Sequence, residues 1–444
     1  MSQSERSLHP QFPLRRFIRE ITDGPFGSSL TSSHYSDDGA RVIRLGNIGP
    51  ARFKDGDAAF ISMDYFNDLR RHEVKPEDLL IAGLGDENHS VGRACVAPSN
   101  LGPSIVKADC FRVRLDQGRL LHRYAAWALS SPVVSGQVLT LTRGSTRARI
   151  NLEVARDVQL PVPPLEEQSR IVDFLDAETA RIDRLVHARE AQISLLGQRL
   201  AQLVDGVVAG EREVIDSIGT RADSDNWDHG KISRFCEVIP GYAFPSSAFV
   251  TDGSGIRLLR GTNVGVGNLV WEDVVSWDAT THPVPERFHL RTGDLVLGMD
   301  RPWISSGMRI ALIDESEVPA FLLQRVACLR SKSPNISMHF IHWVLRSTQF
   351  RLGVESEMTG VSVPHLSGEQ IGSFTFSLPT FDEQTRLAAS LEHHDSSTRR
   401  LKAAMNKQVS LLTERRQALI TAAVTGQFDV TTASGRNVTD GVTA

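Results

Sequence analysis

Pro163-Pro164-Leu165-Glu166-Glu167-Gln168 opens a run of more than forty residues without proline that closes at Gly210. Pro379-Thr380-Phe381-Asp382-Glu383-Gln384 opens a second run, which closes at Gly426. Gln168 and Gln384 are 216 residues apart, and so are Gly210 and Gly426. One spacing kept at both ends of so long a stretch marks a duplication in which each copy is about half the chain. In the first run Ile182, Val186, Ile193, Leu196, Leu200, Leu203 and Val207 follow alternating steps of four and three, with Arg189 at the one polar station. The second keeps the seam at Leu401, Met405, Val409, Leu412, Leu419 and Ala423. These are heptad seams, and about 43 helical residues make a rod of roughly 65 Å. A lone amphipathic helix of that length has no core to lie on, whereas two can bury their seams against each other.

The globular stretches ahead of the two runs repeat as well. Arg44-Leu45-Gly46-Asn47 is answered by Arg260-Gly261-Thr262-Asn263, Asp78-Leu79 by Asp294-Leu295, Trp127 by Trp343 and Gly144 by Gly360, always at 216. Val42–Leu45, Leu79–Ala82, Val91–Val96 and Cys110–Leu115 read as short strands, and Tyr124–Ser130 as a helix with Trp127 on its buried face. Gly83-Leu84-Gly85-Asp86-Glu87-Asn88-His89 reads as a polar loop. Its counterpart near Asp300-Arg301-Pro302-Trp303-Ile304-Ser305-Ser306 shares almost nothing with it, so the frames match while the loops do not. The expected fold is mixed α/β: two small α/β domains separated by two long helices that pair as an antiparallel coiled coil, in a pseudo-two-fold internal repeat.

Composition narrows the function. With 444 residues, 41% hydrophobic and 23% charged, the chain suits two to four globular domains. No apolar run approaches the ~18 residues of a membrane span, and Met1-Ser2-Gln3-Ser4-Glu5-Arg6 lacks the apolar core of a secretory signal, so the cytosol is the expected compartment and no membrane partner is expected. Cys95, Cys110, Cys236 and Cys328 are scattered, with neither disulfide nor zinc spacing. His339 and His342 sit three apart but have no carboxylate or thiol companion. The net charge of −4 disfavours a tight, sequence-independent DNA binder. Yet only 7 of the 49 basic residues are lysine, and arginine is the side chain that reads guanine edges with two hydrogen bonds.

Catalytic motifs are missing from the sequence. It has no G-x-x-x-x-G-K-[ST] phosphate loop, no G-x-S-x-G elbow, no H-E-x-x-H and no complete dinucleotide fingerprint; Gly83-Leu84-Gly85 and Gly265-Val266-Gly267 each lack the third glycine. Val162-Pro163-Pro164-Leu165 does not match the Asn/Asp-Pro-Pro-aromatic motif of base-flipping methyltransferases. No catalytic residue and no metal ligand is assigned.

Leu160-Pro161-Val162-Pro163-Pro164-Leu165-Glu166-Glu167-Gln168 at the start of the first rod, Arg415-Arg416-Gln417-Ala418-Leu419-Ile420 followed by Ala423-Val424-Thr425-Gly426 at the end of the second, and Gly144-Ser145-Thr146 ahead of the first, in a twice-repeated chain of this length, resemble the specificity (S) subunit of Type I restriction-modification systems. The first rod departs by ending Val207-Val208-Ala209-Gly210, the second by having Thr380 for the second proline. The resemblance implies target-recognition domains over 1–160 and 213–378, a central spacer helix over 161–212, a distal one over 379–428 and a disordered tail over 429–444. It implies a sequence-specific subunit whose two domains each read half of a bipartite double-stranded DNA target while the helices fix the spacing and dock two modification (M) subunits. Restriction (R) subunits would join that core. S-adenosylmethionine, ATP and Mg would belong to those partners, with no cofactor in this chain.

Loop side chains able to donate and accept at base edges are the candidate DNA contacts. In the first half these are Arg44, Asn47, Asp86, Asn88, His89 and Arg93, with Ser145, Thr146, Arg147 and Arg149 near phosphates. In the second they are Arg260, Asn263, Arg301, Ser305, Arg309, Thr359 and Ser362. Asn47 and Asn263 flank glycines and also suit turn formation alone. The alternative is a non-catalytic coiled-coil scaffold that assembles other proteins without DNA. It would tolerate identical loops in both halves, which the divergent loops argue against.

Overall fold

The structure, a computed structural model, describes residues 7–86, 88–142, 148–220, 222–251, 254–355 and 364–430. By packing, the chain divides into two compact units, Met1–Arg189 with Lys407–Ala444, and Glu190–Asn406. Their boundary falls inside each long helix, not at its ends.

The first unit holds β1 (Ile18–Thr22), β2 (Ala40–Ile43), β3 (Leu79–Ala82), β4 (Ala94–Val96), β5 (Ser104–Val106), β6 (Cys110–Leu115), the short helix α1 (His122–Leu129) and the start of the long helix α2 (Leu165–Ala209). An antiparallel sheet runs β1-β6-β3-β4, and in a second sheet β5 lies parallel to β2. The strands are short and nearly all buried, as runs such as Leu79-Leu80-Ile81-Ala82 require when both faces are covered. Strand β4 begins at Ala94, later than the stretch read from Val91, because Gly92 takes a left-handed turn (φ +80°) just ahead of it.

The second unit repeats this with β7 (Cys236–Pro240), β8 (Ile256–Leu259), β9 (Leu295–Gly298), β10 (Ile310–Leu312), β11 (Ala320–Leu322), β12 (Val326–Ser331), α3 (Met338–Arg346) and the start of α4 (Phe381–Thr425). Its sheet runs β7-β12-β9-β10, and β8 and β11 are parallel. Register repeats too: Cys110 faces Ala82 and Val113 faces Leu79, while Val326 faces Gly298 and Leu329 faces Leu295. Both units add a partly buried ion pair at the turn into the central strand, Asp78 with Arg114 and Asp294 with Arg330.

The glutamine that ends each opening motif has a structural job. The Gln168 side chain accepts the backbone N–H of Leu121, just ahead of α1, and donates to Arg119 O and Pro163 O at 3.1 and 2.9 Å. Gln384 does the same with the N–H of Ser337, Asn335 O and Pro379 O. Both are fully buried, so each long helix starts pinned to the start of a short one. Where the second copy loses a proline, Thr380 and Glu383 form a reciprocal cap instead. Gly210 and Gly426, with φ of +80° and +77°, end the long helices in the left-handed conformation that favours glycine.

Each long helix serves both cores. In the first unit Ile171 and Leu175 of α2 and Ile420, Ala423 and Val424 of α4 are buried with Phe111, Val113, Tyr124 and Trp127. In the second, Val204, Val207 and Val208 of α2 and Leu387, Ala388 and Leu391 of α4 are buried with Leu295, Leu329, Ile341 and Val344. Fully burying one such aliphatic side chain contributes about 1.5–3 kcal/mol. The Asp183–Arg416 contact lies in the first unit, and Gly197 faces Lys402 in the second. Moving from 183 to 197 along α2 matches moving back from 416 to 402 along α4, the register of an antiparallel pair. The expected mixed α/β fold with paired long helices is present.

On the seam, Ile182, Val207, Leu419 and Ala423 are buried, and Val186, Ile193, Leu196, Leu200, Leu203, Met405, Val409 and Leu412 are half-buried. Leu401 is a correction: it is 50% exposed, and the half-buried station beside it is Lys402, three residues before Met405. A lysine stem can line a helix interface while its ammonium reaches water. At the chain start the Leu8 N–H donates to Thr425 O at 2.8 Å, and His9 lies against Gly426. Of the expected tail, residues 431–444 lie outside the described ones.

Candidate nucleic-acid interface

Two turns of identical build stand at the start of the candidate surface. Asn47 accepts the Arg44 N–H at 2.8 Å and donates to Lys54 O and Gly56 O at 3.0 and 2.8 Å. Asn263 accepts the Arg260 N–H and donates to Val270 O and Glu272 O. Both are essentially fully buried with their amide groups committed, so as base contacts they are corrected to turn clamps. Arg93 is corrected likewise. At 3% exposure it donates to the carbonyls of Ile48, Leu84, Ser90 and Leu45, stitching the turn to the polar loop. Half-buried Arg309 bonds Val264 O and Asp300 O in the equivalent place. The guanidinium of Arg44 pairs with Asp57 and that of Arg260 with Asp273; both arginines are only partly exposed.

Asp86, Asn88, His89, Arg301 and Ser305 lie at the surface. The Asn88 N–H and the His89 ring hold the Asp86 carboxyl below the ordinary carboxylate range. Ser145, Thr146, Arg147, Thr359 and Ser362 lie outside the described residues.

Where the central strand of each unit ends, a second frame repeats. The Gly83 N–H donates to Asp109 O, the Gly85 N–H to Ala148 O and the Ile150 N–H to Gly83 O. In the other unit the Met299 N–H donates to Arg325 O, the Arg301 N–H to Pro364 O and the Leu366 N–H to Met299 O, all 216 residues on. Leu84 bridges Arg149, and Asp300 bridges His365. Asp109 and Arg325 both hold a left-handed backbone, φ +64° and +70°, uncommon for side chains of their kind.

The side chains on this frame are unlike. In the first unit Arg149 Nε donates to Asp109 Oδ1 at 2.8 Å, and its guanidinium lies 5.9 Å from the ring centroid of Phe26. Burial, reinforced by the charge of Asp109, pushes the neighbouring Asp23 carboxyl up to about 6 against the pull of backbone N–H groups. In the second unit Asp300 takes the His365 ring at 2.7 Å and Arg325 at 2.8 Å. Mixed donors and acceptors on exposed corners suit base edges, whereas an enclosed reaction site would need a dry cavity. Sequence reasoning missed Asp109, Asp300, Arg325 and His365. Adding 216 to Arg149 would have reached His365, but the interest of position 109 lies in its backbone angle, which no local motif announces.

Residues 79–195 match the family described as the Type I restriction modification DNA specificity domain. The Type I restriction enzyme MjaVIII specificity subunit of Methanocaldococcus jannaschii is 26% identical over 260 residues, covering 57% of this chain and 59% of that one. The EcoAI specificity subunit of Escherichia coli is 30% identical over 178 residues, 40% of this chain and 30% of the relative. The chain thus spans less than two thirds of the length of either. Among known structures, one reported for complex assembly and conformational transition of the type I R-M system superposes with TM-score 0.71 at 16% identity, covering 95% of this chain and 99% of that one. The HsdS subunit from Thermoanaerobacter tengcongensis superposes with TM-score 0.52 at 16% identity, over 94% of this chain and 97% of that one.

Proposed function

We propose that the chain, whose residues 79–195 match the Type I restriction modification DNA specificity domain, is the non-catalytic, DNA-reading subunit of a Type I restriction-modification complex, working in the cytosol. The globular stretches over 1–160 and 213–378 act as target-recognition domains, each reading half of a bipartite duplex target. The helices over 161–212 and 379–428 set the spacing and dock two modification subunits, which bring S-adenosylmethionine; restriction subunits bring the ATP- and Mg-dependent steps. Among the described residues no group of His, Cys, Asp or Glu is arranged to hold a metal, and no helix is long and apolar enough to cross a membrane.

One observation carries the reading: a backbone frame kept to the hydrogen bond in both units bears unlike side chains at 84 and 300, 109 and 325, and 149 and 365. A scaffold that assembled two like partners would have no use for that difference; a reader of an asymmetric sequence needs it. The test exchanges residues 12–157 for those of another family member and maps the DNA sequence protected by the complex. One half-site should change and the other persist. Change in both, or in neither, sinks the modular reading, and an assembled complex without sequence preference favours the scaffold.

A further inference from the structure

On the frame at the end of the central strand, each unit holds one arginine that is more than half exposed and gripped by a carboxylate. Arg149 is 54% exposed with Nε on Asp109; Arg325 is 63% exposed with one Nη on Asp300. The pieces come from different places. In the first unit the acid sits at the left-handed corner and the arginine on the bridging segment. In the second the arginine sits at the corner and the acid on the bridge, with His365 on its other oxygen.

Two features separate this from an incidental ion pair. An exposed pair adds little stability, and a left-handed corner at a non-glycine residue costs some, so stability does not account for assembling it twice from different parts. A carboxylate beside the guanidinium cancels much of its field, which weakens attraction for a phosphate but leaves the planar donors directional. A guanidinium that keeps two parallel N–H groups free of its carboxylate can fit the O6 and N7 acceptors of guanine. We propose that Arg149 and Arg325 each read a guanine, one in each half of the target, with Asp109 and Asp300 as the residues that position them. This rests on the DNA-reading role proposed above and names the residues through which it acts.

The test uses the full chain, purified with the subunits that accompany it, to select duplexes from a randomised DNA pool, alongside Arg149→Lys, Arg325→Lys, Arg149→Ala, Arg325→Ala and Asp300→Asn. The parent should select a bipartite consensus. Each arginine variant should lose preference for one guanine in one half-site, about tenfold or more, and leave the other half intact. The lysine variants keep the charge and should hold overall affinity while losing that preference. Asp300→Asn should blur the same position as Arg325→Lys, which a merely structural role would not do. An unchanged consensus overturns the proposal, as does uniform weakening on every duplex with a shallower salt dependence, the mark of a phosphate contact. A parent chain that selects no sequence sinks the DNA-reading role itself.

Discussion

Asp23 shows how close the candidate surface sits to an electrostatic limit. Its side chain accepts the N–H groups of Gly24 and Asp109, yet burial and the Asp109 charge raise its ionisation from the ordinary 3.8 to about 6. Between those values the folded chain keeps a proton that the unfolded chain has lost, so this group's contribution to stability falls as pH rises from about 4 to about 6 and stays reduced above. Asp23→Asn keeps the acceptor oxygen and removes the charge. Its melting temperature relative to the parent should therefore be higher at pH 7.5 and approach equality only below pH 3.8; the opposite trend in a thermal melt would show that the carboxylate is well solvated. Asn47 and Arg93 teach a related lesson about reading a sequence. Polar side chains beside glycine turns suit a surface role, but whether they face water or backbone carbonyls depends on how the turn folds back and, for Arg93, on carbonyls of Leu45 and Ile48 from another part of the unit. Local pattern has no access to that.

Helix α2 carries two interior glycines with opposite prospects. A methyl group on Gly197 would meet only the ammonium end of Lys402, which can swing aside. One on Gly206 would lie within 3 Å of three side-chain atoms of Val214, a stiff β-branched residue. Gly197→Ala should stabilise by about 0.5–1 kcal/mol through helix propensity. Gly206→Ala should destabilise by about 1–3 kcal/mol through overpacking. Chemical denaturation of the two variants checks the pair, and equal effects would mean the helix relaxes around either site. The heptad seam was plain in the sequence because apolar residues keep that spacing over so many turns in few settings besides paired helices. It failed only at Leu401, where hydrophobicity outweighed spacing: the steps of four and three lead through Lys402, whose stem does the packing.

For the molecule as a whole, each compact unit is completed by chain that is remote in sequence. Ile420, Ala423 and Val424 are buried in the first unit's core, over two hundred residues after the last strand that the core contains. Removing 407–444 should leave the core of 190–406 folded and open that of 1–189, read as faster amide exchange at Phe111, Val113 and Trp127 than at Leu329 and Trp343. Equal protection in both units would show that the distal helix end is dispensable. The duplication and the long helices were visible in the sequence through a single spacing, while the pairing of the strands was not. The assignment of each helix half to a different core was not, since a continuous helix gives no sign of where one set of neighbours ends and another begins.

The bond from Leu8 to Thr425 ties the beginning of the polypeptide to its last helix. Leu8 and Thr425 both belong to the first compact unit, so the bond straps that unit's last helical turn with chain from its other extreme, and a proline at Leu8, which has no N–H to donate, should loosen that turn before anything else.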